Sequence, residues 1–234
     1  MSKNHLKRIN APRTWNINRK KNVFITRPSS SGHKLEHSLP LVVLFRDMLK
    51  KVKTTNELEY ILNNKGVYIN DKKATSVDQA VGLMDVIRLP DIKENYRIVL
   101  NSSGQLDYIL IDEKEANIVP LMVKDKTKLK GGKTQINFTN GTNLIVDKDP
   151  YKTKDVLMYD YMQKKVVEHL NLEKGAVVYF TRGRYIGTTA TVEEIKENSV
   201  VYKRDEDTFE TDKNVGKDYM FLVGKKTPAI KLAD

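Results

Sequence analysis

The chain has 234 residues, 39% of them hydrophobic, and 41 Lys and Arg against 30 Asp and Glu give it a net charge of +11 and a pI near 9.5. That length and apolar content exclude a wholly disordered chain and leave room for two or three domains with real cores. The charge points to nucleic acid or an anionic membrane surface, while the lack of Cys excludes disulfides and thiolate metal sites and favours a cytoplasmic address.

Residues 1–40 carry nine Lys or Arg (Lys3, Lys7, Arg8, Arg13, Arg19, Lys20, Lys21, Arg27, Lys34) against one acid, Glu36. With Pro12, Pro28, Gly32 and Pro40 spread along it, this arm reads as extended. Its apolar content is too low to offset the entropy of ordering, so the expectation is an arm that adds little to any core and is ordered by a polyanion. RNA is the partner this implies. Trp15, the only Trp, either stacks on a base or anchors the arm on the protein, and anchoring is favoured because a lone aromatic is usually packed.

Leu41, Leu44, Phe45, Met48, Leu49 and Val52 fall at helical spacing, with Arg46, Lys50, Lys51 and Lys53 on the opposite side. Thr54 followed by Glu57 reads as a capping box that starts a second helix, burying Leu58, Ile61 and Leu62 and ending at Asn64, Lys65 and Gly66. Short strands follow at 67–69 and 84–89, with a turn at Asn70-Asp71. From Tyr96 the pattern is one of strands, 97–100, 106–111, 121–123, 134–139, 142–146, 156–161 and 166–170, so residues 91 to about 171 read as a small β domain. Asn140-Gly141 is the strongest hairpin signal. Strands at 176–181, 188–192, 199–203, 208–211 and 220–223 then fit a small closed barrel, with a basic loop over 182–187.

Several patterns suggest chemistry and fail on context. The longest apolar run, 39–45, is far too short to span a membrane, and no signal peptide is visible ahead of the arm. The sequons at Asn101, Asn137 and Asn140 therefore read as turn chemistry. Gly-Gly-Lys-Thr at 131–134 resembles the end of a phosphate-binding loop, but Thr127 stands where the first Gly belongs and a hairpin follows instead of a helix. Gly104-Gln105-Leu106-Asp107-Tyr108 resembles the Gly-Arg-Leu-Asp stretch of pseudouridine synthases. It lacks the Arg and the residues that should follow, so Asp107 reads as a strand residue. His5, His33, His37 and His169 form no local metal site, and no cofactor, metal or small-molecule substrate is expected. Phosphate or base contact suits His5 and His33 better.

Four separated blocks resemble a known family. His5-Leu6-Lys7-Arg8 with Ala11-Pro12 and Trp15 is similar to the N-terminal signature of the archaeal and eukaryotic small-subunit ribosomal proteins called S-four-e. Arg27-Pro28-Ser29 with Gly32, His33-Lys34-Leu35 and Leu39-Pro40-Leu41 continues it, Gly82 to Ile87 resembles the family's Gly-Phe-Met-Asp-Val-Ile, and Glu94 to Arg97 its Glu-Asn-Phe-Arg. The resemblance implies an α+β multidomain protein: a basic extended arm (1–40), a helix-helix-β-hairpin RNA-binding domain (41–104), a central β domain (105–171), a C-terminal KOW or SH3-like β-barrel (172–224) and a tail (225–234). Gly183-Arg184 and Gly187 match the KOW glycines, although Thr181-Arg182 stands where a Gly-Gly pair is usual. The early stop after Lys225-Lys226 resembles an archaeal-type or reduced member.

The function expected is that of a non-enzymatic constituent of the small ribosomal subunit, cytoplasmic, with small-subunit rRNA and neighbouring ribosomal proteins as partners and no membrane. Lys and Arg would neutralise phosphates, and recognition would follow the shape of A-form RNA. The expected contacts are His5, Lys7, Arg8, Arg13, Trp15, Arg19, Lys20, Lys21, Arg27, His33 and Lys34 in the arm, Arg46, Lys50, Lys51 and Lys53 on the helix face, and Arg182 and Arg184 in the barrel loop. The alternatives are an RNA-modifying enzyme like the pseudouridine synthases, which requires a pocket around Asp107, and a KOW-type transcription factor that binds polymerase.

Overall fold

The computed structural model describes residues 5–196, 199–204 and 214–232 of a strand-rich mixed α+β protein whose helices are few and short. Contacts divide it into two units, one running through Asn117 without residues 101–104, the other comprising those four residues and everything from Ile118 onward.

In the first unit, β1 (Leu6–Lys7) and β2 (Phe24–Ile25) form an antiparallel pair within the arm, and β3 (Ser38–Pro40) pairs with β6 (Ala80–Gly82). A short α-helix, α1 (Leu41–Val43), continues as a π-helical turn, Leu44–Met48. Its first N–H groups have no side-chain cap. The loop before β6 satisfies them instead, Leu41 N donating to Gln79 O (3.0 Å) and Val42 N to Val77 O (3.0 Å). The helix is shorter than its spacing predicts, and Leu41 to Phe45 are all buried, while Lys50, Lys51 and Lys53 on the side expected to face solvent remain exposed.

The second helix, α2 (Thr55–Asn64), matches expectation. Thr54 Oγ1 accepts from Glu57 N, Glu57 Oε2 reaches back to Lys53 N (2.7 Å), Leu58 and Leu62 are buried, and Gly66 leaves the helix at φ +78°. Asn70 and Asp71, both at positive φ, turn β4 (Tyr68–Ile69) into β5 (Lys72–Lys73). With β7 (Val86–Leu89), β8 (Glu94–Leu100) and β9 (Leu106–Ile111) they build a sheet of order β5-β4-β7-β8-β9, followed by α3 (Glu113–Ala116). β9 pairs with β8 along its whole length, and this unit includes residues 105–117.

The arm departs most from expectation. Trp15 is 1% exposed, donates Nε1–H to Ser38 O (2.8 Å) and bridges to Leu106, while Ala11, Ile25 and Leu39 are also buried. Its apolar residues are few, yet one Trp covers about 150–250 Å², and here it closes the core that α1 opens. The arm is thus part of the first unit's fold.

Among the described residues the second unit holds two five-stranded sheets. In one, β10 (Ile118–Lys128) is shared. Its first half pairs with β13 (Val156–Asp160), and beyond an irregularity at Val123–Asp125 it pairs with β11 (Thr134–Phe138). β12 (Asn143–Val146) and β14 (Lys165–Leu170) form its edges, and the Asn140-Gly141 turn, with Gly141 at φ +83°, joins β11 to β12 as expected. The other sheet has the order β18-β17-β16-β15-β19, from β15 (Val177–Phe180), β16 (Thr189–Ile195), β17 (Ser199–Lys203), β18 (Asn214–Gly216) and β19 (Met220–Gly224). A 3₁₀ turn, Lys217–Tyr219, links the two edge strands. The strand expected at 208–211 lies outside the described residues. Both sheets fall in the second unit.

Candidate nucleic-acid interface

A side chain can neutralise a phosphate only if its charge reaches solvent and is not already matched by a carboxylate. Among the expected arm contacts, His5, Lys7, Arg13, Lys20, Lys21, Arg27 and Lys34 are exposed. No Asp or Glu precedes Glu36 in the arm.

Arg8, His33 and Trp15 face inward, each bonded within the protein. Arg8 is 1% exposed; its guanidinium donates to Asn18 O (2.9 Å) and pairs with Asp47 Oδ1 at 3.5 Å. Arg46 takes the other oxygen of the same carboxylate at 2.9 Å, so Asp47 sits between two cations and fastens the arm to the helix. His33 packs against Gly82 with Nε2 3.1 Å from Asp85 Oδ2. Burial by itself lowers its pKa, but the charge of Asp85 and the hydrogen bond to it outweigh burial and raise it above 6.5. Trp15 is the anchor described above. Arg19 is half-buried, its fork donating to Ala11 O (2.7 Å) and Pro12 O (2.6 Å), which holds the loop after Trp15 in shape.

The helix face is less basic in space than in sequence. Arg46 is tied to Asp47, and Lys51 reaches Glu94 and lies 5.4 Å from the centre of the Tyr96 ring. Lys51 and the Tyr96 hydroxyl hold the Glu94 carboxyl below the usual range. Lys50, at φ +55° just past the helix, and Lys53 stay exposed.

In the second unit, Arg184 is exposed on the loop between β15 and β16, and Arg182 is half-buried there. Gly183 and Gly187 both have positive φ, and Gly187 N donates to Phe180 O (2.9 Å), so the loop is a closed turn. Arg204, absent from the expected set, lies 4.7 Å from the Tyr185 ring centre while Arg184 lies 5.7 Å from it. Only the β16–β17 pairing brings Arg204 near Tyr185, and no local pattern announces it. Lys124, Lys128 and Lys130 are exposed along β10 and the turn after it, a stretch outside the strand expected at 121–123, and Lys124 pairs with Asp125 at 3.8 Å.

The patterns that resembled catalytic sites are ordinary structure. Asp107 Oδ1 accepts from Tyr108 N (2.9 Å) in β9, and Gly131 and Gly132 are a turn at positive φ between β10 and β11. Asp155 accepts from His169 (2.8 Å) and from Lys152 N (2.8 Å), which closes the loop before β13. No group of three or more metal-ligating side chains occurs among the described residues.

Comparison with known proteins gives a consistent result. Residues 92–166 match the model of ribosomal family S4e, and residues 2–36 match the RS4NT domain. The chain is 36% identical to small ribosomal subunit protein eS4 of Methanocella arvoryzae, over 99% of this chain and 98% of that protein. It is likewise 36% identical to eS4 of Methanosphaera stadtmanae, over 99% of this chain and 96% of the relative. The crystal structure of 30S ribosomal protein S4e from Thermoplasma acidophilum superposes with a TM-score of 0.68 at 28% identity, covering 81% of this chain and 96% of that one.

Proposed function

The chain belongs to ribosomal family S4e, and from that premise we propose that it is a structural constituent of the small ribosomal subunit, in the cytoplasm, that binds ribosomal RNA by charge and shape. Its relatives are ribosomal proteins along their whole length, and the chain is not an enzyme.

The observation that carries the RNA-binding reading is the arm: Lys7, Arg13, Lys20, Lys21 and Lys34 are exposed on a segment with no carboxylate before Glu36. Each phosphate such a residue neutralises releases counterions, so affinity falls steeply with salt. Lys50 and Lys53 extend the charge on the first unit, and Arg184 with Arg182 supplies a second contact on the other. A-form RNA keeps its base edges in a deep, narrow groove, which suits contacts to backbone and shape.

The helix-helix-hairpin of residues 41–104 is the RNA-binding module in this reading. Residues 172–224 form the KOW-type barrel, a description supported by the strand order, the glycine-bearing loop and the 3₁₀ turn joining the edge strands. Neighbouring ribosomal proteins are its protein partners.

Sedimentation of tagged protein through a sucrose gradient tests the proposal. Stoichiometric co-migration with small subunits is expected, and its loss in high salt should parallel loss of rRNA. Sedimentation with free polymerase, or as free protein at low salt, would refute it.

A further inference from the structure

The arm exposes three large apolar residues on the same small surface as its cations. Ile9 is 71% exposed, Val23 68% and Phe24 55%. Phe24 faces Lys7 across the β1–β2 ladder, and His5 meets its ring edge-on with centres 5.8 Å apart. A concavity of about 240 Å³ is walled by Ile9 and Val23 and surrounded by Lys7, Arg19, Lys20 and Lys21; Phe24 adjoins it as the next residue after Val23 without lining it. Asn22 also lines it, placing an amide donor and acceptor at its wall.

The concavity is preformed. Arg19 is held by the carbonyls of Ala11 and Pro12, Arg8 donates to Asn18 O, and Lys20 N donates to Asn18 Oδ1 (3.2 Å). Its volume lies below the roughly 300–1,000 Å³ of pockets for drug-sized ligands. A single planar base fits that scale, whereas the bases of a duplex are paired and stacked and offer no free face to such a surface. Apolar walls ringed by cations match a ligand with a flat apolar part and a negative one. The three exposed apolar side chains contribute nothing to binding a phosphate, so phosphate contact alone leaves them unexplained.

We infer that this face of the arm captures one unstacked nucleotide from a single-stranded RNA segment, its base lying against Phe24, Val23 and Ile9 and its phosphates against Lys7, Lys20 and Lys21. The inference rests on the RNA-binding reading above and adds to it a strand preference that charge alone does not create.

The test uses the full-length chain and three fluorescent probes: an unstructured RNA strand of about ten nucleotides, an A-form duplex of the same length, and an abasic strand with the same phosphates. The wild type should bind the single strand best. Phe24→Ala and Val23→Ser should each weaken that binding, Phe24→Ala by about tenfold, while duplex and abasic affinities stay within about twofold. Lys20→Ala with Lys21→Ala should weaken all three and lower the salt slope for the single strand by about 1.4. Trp15 fluorescence confirms that each variant keeps the arm folded. If the apolar variants bind the single strand like the wild type, or lose single strand and duplex equally, the nucleotide site is refuted. Continued wild-type binding to ribosomal RNA would leave the parent reading standing; failure of the wild type on every RNA would remove both.

Discussion

Asp85 accepts from three directions. Gly82 N (2.7 Å) and His33 Nε2 (3.1 Å) share one oxygen, and Asn70 Nδ2 (2.7 Å) takes the other. Asn70 in turn accepts from Val86 N (2.9 Å), so one buried carboxylate joins the arm, the β4–β5 turn and β7. Gly82 makes room for this. A Cβ there would come within 2.3 Å of the His33 ring. Because the folded state raises the His33 pKa above its unfolded value of 6.5, the imidazolium form stabilises the fold. That contribution is complete below the unfolded value and is lost as pH rises through the raised folded one. Each unit of separation between the two is worth about 1.4 kcal/mol. Thermal unfolding at about pH 6 and about pH 8.5 should therefore show a loss of stability on the alkaline side that His33→Gln flattens. An equal pH dependence in the variant would mean that His33 is not the titrating group. The Arg8–Asp47 pair works alongside this one, and neither shows in the local sequence, since both join residues distant along the chain.

At the scale of elements, the loop between β15 and β16 shows how a turn can be read before a structure exists. Gly183 and Gly187 stand in a short basic loop between two β-rich runs, and both adopt the left-handed region, at φ +91° and +78°. Gly187→Val forces a β-branched residue into that region at a cost of about 1–3 kcal/mol. Hydrogen exchange on the full chain should show faster opening of Val177–Phe180 and Thr189–Ile195, with the first unit unaffected. Arg184→Ala, which removes only an exposed side chain, should leave exchange unchanged. Unaltered protection in Gly187→Val would show that the backbone does not require the glycine. The capping box before α2 and the Asn70-Asp71 and Asn140-Gly141 turns were legible in the same way. The first helix was not: its leading N–H groups are satisfied by Val77 and Gln79, far along the chain.

For the molecule as a whole, the arm makes the two units unequal in what they need from the N-terminus. Deleting residues 1–40 removes Trp15, Ala11, Ile25 and Leu39 from the first core and strand β3 from its pairing with β6. Truncating one large buried aromatic costs about 3–5 kcal/mol, a large share of the roughly 5–15 kcal/mol that holds a domain. The first unit should unfold in the truncated chain while β10–β19 keep their exchange protection. Native-like protection across β7–β9 after truncation would show that the arm is dispensable to the fold. RNA binding lost on such a deletion reports unfolding as much as missing phosphate contacts. The charge contribution is better measured through Lys20 and Lys21.

What the sequence determined alone was everything acting over a few residues: charge composition, the capping box, the Asn-containing turns, the loop glycines and the alternation of most strands. The four blocks of family resemblance were equally legible, because they are runs of adjacent residues. What only the tertiary structure decided was which polar groups face water. Arg8 and Asp47, 39 positions apart, meet because the arm folds over the helix, and that contact turns an apparent phosphate ligand into a buried fastener. His33 meets Asp85, and Arg204 reaches Tyr185, for the same kind of reason. Ile9, Val23 and Phe24 remain in solvent while Trp15, on the same arm, is buried. Burial depends on what packs against a residue, and a linear pattern records only what lies beside it.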